Sequence, residues 1–227
     1  MKNRIIKDIR LFISGRNHET GAEFNTPFDD KKLNAIVKRV VMKLRENGFS
    51  LGVFDHLYIN FTTFDMAERM SLSDEADRYH PWFRECTVPV ETDLYNILHL
   101  PEAYNDIIRW ISTVLVTYFS TEEFNELSIL SCVQLAVEQG EKLLMKFKEK
   151  ITTKRRAVIY LRFLDTCRFY PLLRVYDLED ELLFEKDLPE TVTLDCLGEI
   201  QVSTKRVTIK PRKNAFTTKR NPIVFEY

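Results

Sequence analysis

Apolar and polar positions alternate at two places in the first third of the chain. Between Ile5 and Ile13 apolar residues come to occupy every second position, and Gly15 follows. Segment 56–62 alternates throughout, with leucine, isoleucine and phenylalanine on one side and polar or aromatic residues on the other. Side chains of a strand point alternately to its two faces, so each segment predicts a β-strand with one face on the core.

A helix is predicted between these two strands. Its apolar residues recur at steps of three and four, which places them on one side of a helix; they are Leu33, Ile36, Val37, Val40, Val41 and Leu44. Thr26–Asp29 has the composition of a helix start, since threonine caps helix ends and Pro27 suits the first helical position. Asn47–Gly48 is typical of a helix end.

The middle of the chain predicts one more strand and a group of helices. Glu85–Val90 is expected to form an edge strand, because Pro89 cannot donate a hydrogen bond to a neighbour. Apolar spacing predicts helices at 94–98, at 104–118 after a proline, and from residue 121 onward. Within the last of these, 127–135 fits helix and strand equally and stays open. Segment 143–151 predicts a final helix rich in lysine.

From residue 155 the pattern changes to short segments rich in β-branched and aromatic residues, separated by turn residues about every eight to twelve positions. They predict strands at 157–164, 172–176, 181–185, 191–194, 199–202 and 206–210, with 223–225 as a further candidate. The fold class is therefore α+β: an N-terminal strand-helix-strand unit, central helices and a C-terminal, mostly antiparallel sheet. We expect a single domain, 1–227; the alternative is a division into a mixed α/β region, 1–154, and a β-rich region, 155–227.

Composition narrows the class of protein. The chain has 44% hydrophobic and 30% charged residues, which is typical of a globular protein, and its net charge of −1 gives no overall attraction to nucleic acid or membrane. No apolar run approaches the ~18 residues that span a bilayer, and the charged N-terminal segment does not resemble a signal peptide, so we expect a cytoplasmic protein. The four scattered cysteines predict reduced, mostly buried thiols. Neither a metal site nor a cofactor is expected.

No catalytic signature is present: the chain has no phosphate-binding glycine loop, no nucleophile elbow and no zinc-hydrolase motif. The best candidates for acid–base chemistry are His56, which follows Asp55, and His80. Neighbouring residues of a strand point to opposite faces, so Asp55 and His56 need not touch. A histidine without chemistry is the simpler interpretation, and we expect no enzymatic activity.

The densest group of recognition-type side chains lies within Asp77–Arg84. Arginine and large aromatic residues dominate binding hot spots, and this segment contains Arg78, Tyr79, His80, Trp82, Phe83 and Arg84. Pro81 disfavours a helix and favours a loop that presents Tyr79 and Trp82 outward. The alternative is a loop anchored by buried rings, with its two arginines paired to nearby acids.

Charge is segregated near the C-terminus. An acidic stretch from Asp177 to Glu190 begins with Asp177, Glu179, Asp180 and Glu181, and a basic stretch free of acids runs from Lys205 to Arg220. The two either pair across neighbouring strands or act as docking surfaces, the acidic one for a basic protein and the basic one for phosphate. The near absence of aromatic residues in the basic stretch argues against single-stranded nucleic acid.

Three segments of the first 120 residues resemble bacterial immunity proteins that accompany polymorphic toxins: 24–29, 54–62 and 77–84. The resemblance implies a single-domain cytoplasmic protein that binds and blocks one cognate toxin, without enzymatic activity of its own. It supplies no binding residue, because no family site motif is matched position by position.

The sequence therefore predicts a protein-interaction module, with an immunity protein as the first hypothesis. Its expected partner-binding residues are Arg78, Tyr79, His80, Trp82, Phe83, Arg84, Asp177, Glu179, Asp180 and Glu181. Two alternatives remain open: a nucleic-acid-binding protein that uses 205–220, and an enzyme that uses His56 or His80.

Overall fold

A computed structural model describes residues 3–14, 26–63, 70–74, 79–214 and 221–227. The chain divides into two compact units, Met1–Gly140 and Glu141–Tyr227. The first contains a mixed sheet and helices, and the second contains two antiparallel sheets, so the α+β class is confirmed.

A five-stranded sheet forms the centre of the first unit. Its three longer strands are parallel, and a two-residue strand pairs antiparallel at each side, in the order β2-β1-β3-β5-β4. The strands are β1 (Asp8–Ile13), β2 (Thr26–Pro27), β3 (His56–Thr62), β4 (Ser71–Leu72) and β5 (Phe83–Pro89). Alternation predicted β1 and β3 because one face of each is buried, through Ile9 and Leu11 in β1 and Leu57 and Ile59 in β3.

Helix α1 (Lys31–Glu46) connects β1 to β3 and buries the apolar face that its spacing predicts. Asp30 caps its first turn, since its carboxylate accepts a hydrogen bond from the Leu33 amide at 2.8 Å. The predicted start at Thr26–Asp29 is wrong: Thr26 and Pro27 instead pair with Ile13 and Phe12 of β1. A tertiary pairing thus overrides the local capping signal.

Three more helices follow β5: α2 (Thr92–Ile97), α3 (Tyr104–Phe119) and α4 (Glu126–Gln139). The open segment 127–135 belongs to α4, whose buried residues are Ile129, Cys132, Val133 and Ala136 at helical steps. Asn125 caps this helix by accepting from the Ser128 amide at 3.0 Å.

The edge position expected for β5 is wrong, because β4 pairs with its Cys86 and Thr87. Pro89 is the last residue of β5, beyond that pairing.

In the second unit, four strands form an antiparallel meander in the order β6-β7-β8-β9. They are β6 (Met145–Ile151), β7 (Arg156–Phe163), β8 (Phe169–Tyr176) and β9 (Leu182–Asp187). The helix predicted at 143–151 is wrong. Met145, Phe147 and Ile151 are separated by steps of two and four, so the segment also fits a strand, and its pairing with β7 forms that strand with a register shift at Phe147.

A separate antiparallel sheet is formed by β10 (Ile200–Val202), β11 (Arg206–Ile209) and β12 (Ile223–Glu226). Strands were predicted at these positions, but the C-terminal strands form two sheets where one was expected. The strand predicted at 191–194 is wrong. Thr191 forms one isolated bridge with Phe169, and a short 3-10 helix follows at Leu194–Cys196. Gly198 lies against the backbone of this sheet: a β-carbon there would lie 2.5 Å from the Lys210 carbonyl oxygen.

All four cysteines are reduced thiols; Cys86 and Cys132 are buried, and Cys167 and Cys196 are half-buried. Burial raises the pKa of the Cys86 thiol to about 12. Among the described residues, no helix is both long and apolar enough to cross a membrane.

Candidate interaction surfaces

The aromatic turn, residues 79–83, precedes and opens strand β5. Tyr79 is 77% exposed and Trp82 is 39% exposed, so of the two open alternatives, exposed rings and buried anchors, the structure shows exposure for these two residues. His80 is exposed as well, and its ring stacks on Trp82 with centroids 4.8 Å apart and planes 11° apart. The turn therefore presents large aromatic surface to solvent. Arg78, which was predicted to belong to this surface, lies outside the described residues.

Backbone hydrogen bonds fix the aromatic turn to the beginning of β3. The carbonyl oxygen of Trp82 accepts from the amide of Asp55 at 3.0 Å and from the amide of His56 at 3.1 Å. Within the turn, the Phe83 amide donates to the His80 carbonyl at 3.3 Å. These bonds do not involve the aromatic side chains. The backbone attachment of the turn therefore does not use the rings that it presents.

Phe83 differs from Tyr79 and Trp82, because it is already part of β5 and is half-buried. Its ring stacks on Tyr58 of β3 with centroids 4.3 Å apart, and Tyr58 in turn contacts Phe12 of β1 at 5.4 Å. The expectation that the whole segment up to Arg84 forms a loop is thus wrong at its end. Phe83 and Tyr58 belong to one row of rings across one face of the sheet.

Arg84 has no acid partner among the described residues, contrary to the expected pairing. Its guanidinium lies over the ring of Phe54, 5.6 Å from the centroid, and Nη1 is buried without a hydrogen-bond acceptor in the described ranges. Its register neighbour on β3 is the fully buried Leu57. A half-buried cation in apolar surroundings loses hydration that the aromatic face replaces only in part.

Asp55 and His56 are in direct contact, although alternation gave no reason to expect it. His56 Nδ1 lies 2.6 Å from Asp55 Oδ1, and Lys7 Nζ lies 2.6 Å from Asp55 Oδ2. Asp55 is buried and precedes β3, so the strand rule that separates neighbouring side chains does not apply to it. Burial acts to raise the pKa of Asp55, but the hydrogen bonds and charges of Lys7 and His56 outweigh it and hold this pKa below its ordinary value.

The second predicted surface is the acidic turn, Asp177–Glu181, which connects β8 to β9. Asp177 has a structural role: one carboxylate oxygen accepts from the amides of Glu179 and Glu181 at 3.0 and 2.9 Å. Asp180 adopts φ +65° and forms an ion pair with Arg156 at 2.8 Å. Two of the four predicted acids are thus occupied within the protein.

The carboxylates of Glu179 and Glu181 remain available, since neither forms an ion pair or hydrogen bond with any residue in the described ranges. Three leucines lie beside them and face solvent: Leu178 is 56% exposed, Leu182 50% and Leu183 43%. The acidic turn and the start of β9 thus combine available negative charge with exposed apolar side chains.

Three acids of the stretch 177–190 pair with arginines of the four-stranded sheet: Asp180, Glu185 and Asp187. Where the basic stretch 205–220 is described, none of its residues forms an ion pair with these acids, so the alternative of pairing between the two stretches is not seen there. Arg174 contacts Glu185 at 2.5 Å, and Arg162 pairs with Asp187. β9 and β11 belong to different sheets, which is why their charges do not meet across neighbouring strands. The arginines also lie over tyrosine rings of the adjacent strand, as Arg162 does over Tyr170 at 4.1 Å.

The basic stretch does not form one continuous described patch. Lys210 lies 3.7 Å from Glu199, and the Arg212 guanidinium lies 6.0 Å from the centroid of Phe147. Residues 215–220 are outside the described ranges.

Where the structure describes the chain, no group of three or more histidine, cysteine or acidic residues is placed to hold a metal ion.

Comparison with models of protein families, with curated proteins and with solved structures finds no match for this chain.

Proposed function

We propose that the protein is an interaction module, specifically an immunity protein that binds and neutralises a cognate bacterial toxin through the aromatic turn. The observation that carries the proposal is the exposure of Tyr79 and Trp82 on a turn whose backbone is anchored to β3. Large aromatic side chains presented on a fixed backbone bind a partner at low cost in conformational entropy.

The surroundings of the turn support a protein partner. His80 stacked on Trp82 enlarges the apolar area, and Arg84, without an acid partner in the described ranges, lies two residues after Trp82 in β5. Arginine and aromatic residues are the types most enriched in binding hot spots. The resemblance of segments 24–29, 54–62 and 77–84 to immunity proteins gives the proposal its class of partner.

Co-expression with the C-terminal domain of the protein encoded immediately upstream, which the proposal predicts to be a toxin, tests the proposed function. We expect the wild-type chain to restore growth of cells that produce the toxin. The double variant Tyr79→Ala/Trp82→Ala should fail to do so at equal expression. The matched control is Leu127→Ala on α4, which removes a side chain that is 76% exposed; it should protect as the wild type does. Protection by the double variant would refute the role of the aromatic turn.

A second candidate function, acid–base catalysis at His56, is favoured by the 2.6 Å contact with Asp55. A buried carboxylate on Nδ1 orients an imidazole and leaves Nε2 to exchange a proton. However, the same carboxylate is bound by Lys7, as expected for a structural tie between β1 and β3. Hydrolysis of p-nitrophenyl acetate is a suitable probe: a rate at least about tenfold lower in His56→Gln would support catalysis, and equal rates would reject it.

A further inference from the structure

Strand β9 is the outermost strand of the four-stranded sheet. Its inner neighbour is β8: Lys186 and Phe184 of β9 pair with Leu173 and Val175 of β8. No described strand pairs with the outer side of β9. The outer edge of such a strand carries backbone amide and carbonyl groups that are not used by the sheet. These groups can pair with an added strand of another protein.

The side chains of β9 are also accessible. Five of its six residues are exposed, and only Phe184 is half-buried, against Phe225 at 5.7 Å and Tyr227 at 5.5 Å. Phe184 therefore packs one face of β9 against Phe225 and Tyr227, while Leu182 and Leu183 remain 50% and 43% exposed. An exposed edge strand with apolar side chains is a template for pairing.

We infer that β9 accepts a basic, extended segment of a partner protein as a fifth strand of this sheet. The negative charge of the acidic turn, which precedes β9, favours a basic partner segment. The carboxylates of Glu179 and Glu181 have no cationic partner in the described ranges of the chain. Lysine or arginine in the added segment would neutralise them, and its apolar residues would cover Leu182 and Leu183.

A second copy of this chain fits the edge less well. Each β9 strand supplies one basic residue, Lys186, and its acids Glu185 and Asp187 are already paired with Arg174 and Arg162. A second copy therefore offers less positive charge to Glu179 and Glu181 than a basic segment does. The inferred segment binds whether or not the aromatic turn contacts a toxin, so this inference does not depend on the function proposed above.

A synthetic peptide of alternating lysine and valine, about eight residues long, tests the inference by fluorescence anisotropy on the full chain. We expect saturable binding with amide chemical-shift changes centred on β9. The same peptide with alternate backbone nitrogens methylated keeps its charge but loses its donors on one edge, and it should bind at least about tenfold more weakly. Equal affinity for the methylated peptide would show charge attraction alone and would overturn the inference, as would the absence of saturable binding.

Variants of the protein localise the site. Leu183→Lys should lower the affinity by about tenfold, because it removes an apolar contact and adds a like charge. The double variant Glu179→Gln/Glu181→Gln should weaken binding and reduce its salt dependence. Leu127→Lys on α4 is the matched control and should leave affinity unchanged. Thermal unfolding of each variant verifies that it is folded. Binding that survives both β9-side variants in folded protein would contradict the assignment.

Discussion

The amide of His56 donates a hydrogen bond to the carbonyl oxygen of Trp82 at 3.1 Å, which joins the first residue of β3 to the residue that precedes β5. The backbone amide of Asp55 donates to the same carbonyl oxygen, so backbone groups attach the turn that carries Tyr79 and Trp82 to β3. An aromatic side chain in this turn can therefore be removed without loss of its attachment. Binding and stability should respond separately to mutation here.

Asp55 is predicted to be the main electrostatic contributor to stability where β1 and β3 begin. Asp55→Asn should lower the free energy of unfolding at pH 7 by about 3 kcal/mol, because Lys7 and His56 lose the buried carboxylate that they share. Urea unfolding measures this difference. The control is Asp106→Asn, which breaks an exposed ion pair with Arg109 and should cost less than about 1 kcal/mol.

The contribution of Asp55 should depend on pH in a defined direction. Its pKa in the folded protein lies below the ordinary value, so the folded state binds fewer protons than the unfolded state and this stabilisation is present above pH ~4. It should be lost as the pH falls through the folded pKa. The gap between wild type and Asp55→Asn should therefore shrink below pH ~4, and a gap that grows on acidification would contradict the proposed tie.

Arg84→Met is predicted to raise the free energy of unfolding by about 1 kcal/mol. The substitution keeps an unbranched side chain over Phe54 but removes a half-buried charge that has no acid partner among the described residues. Thermal and urea unfolding of the variant measure the effect. Arg109→Met, which removes an exposed and paired guanidinium, should change stability little. A clear loss of stability in Arg84→Met would show that Arg84 has a structural partner.

Gly198→Ala should destabilise the second unit by about 2 kcal/mol or more. The added β-carbon would meet the Lys210 carbonyl oxygen at 2.5 Å and the Pro211 carbonyl carbon at 2.6 Å, and these backbone atoms cannot move independently of β11. Gly52→Ala is an instructive control, since nothing lies within 4 Å of its β-carbon position but φ is +84°. It should cost only about 1 kcal/mol, through backbone strain. Equal effects of the two variants in urea unfolding would contradict the steric argument.

Local pattern predicted those elements whose apolar spacing and burial agree. Segment 56–62 alternates and became β3 with the predicted bounds, and the apolar stripe of α1 is its buried face. The helix predicted at 143–151 is wrong because the apolar residues of this segment fit both helical steps and strand alternation, and pairing with β7 selects the strand. The helix start predicted at Thr26–Asp29 is also wrong because of a tertiary contact, since Thr26 and Pro27 pair with β1.

The sequence predicted which residues the candidate surfaces contain, but not the side-chain contacts that those residues form. The sequence predicted Tyr79 and Trp82 as partner-binding residues, and Pro81 gave a physical reason for their exposure. The contact between Asp55 and His56 was missed because Asp55 lies before the strand and is held by the distant Lys7. Likewise, the ion pair of Asp180 with Arg156 depends on strand order, which composition does not determine.

Tyr79 and Trp82 are proposed to bind a toxin, and the most direct test is isothermal titration calorimetry of the chain with the C-terminal domain of the protein encoded immediately upstream, the predicted toxin. Tyr79→Ala/Trp82→Ala should weaken the complex by at least about a hundredfold, because each ring is expected to contribute roughly 1–2 kcal/mol or more to the interface. Its unfolding free energy should stay within about 1 kcal/mol of the wild type. Leu127→Ala should bind as the wild type does. Unchanged affinity in a folded double variant would contradict the account.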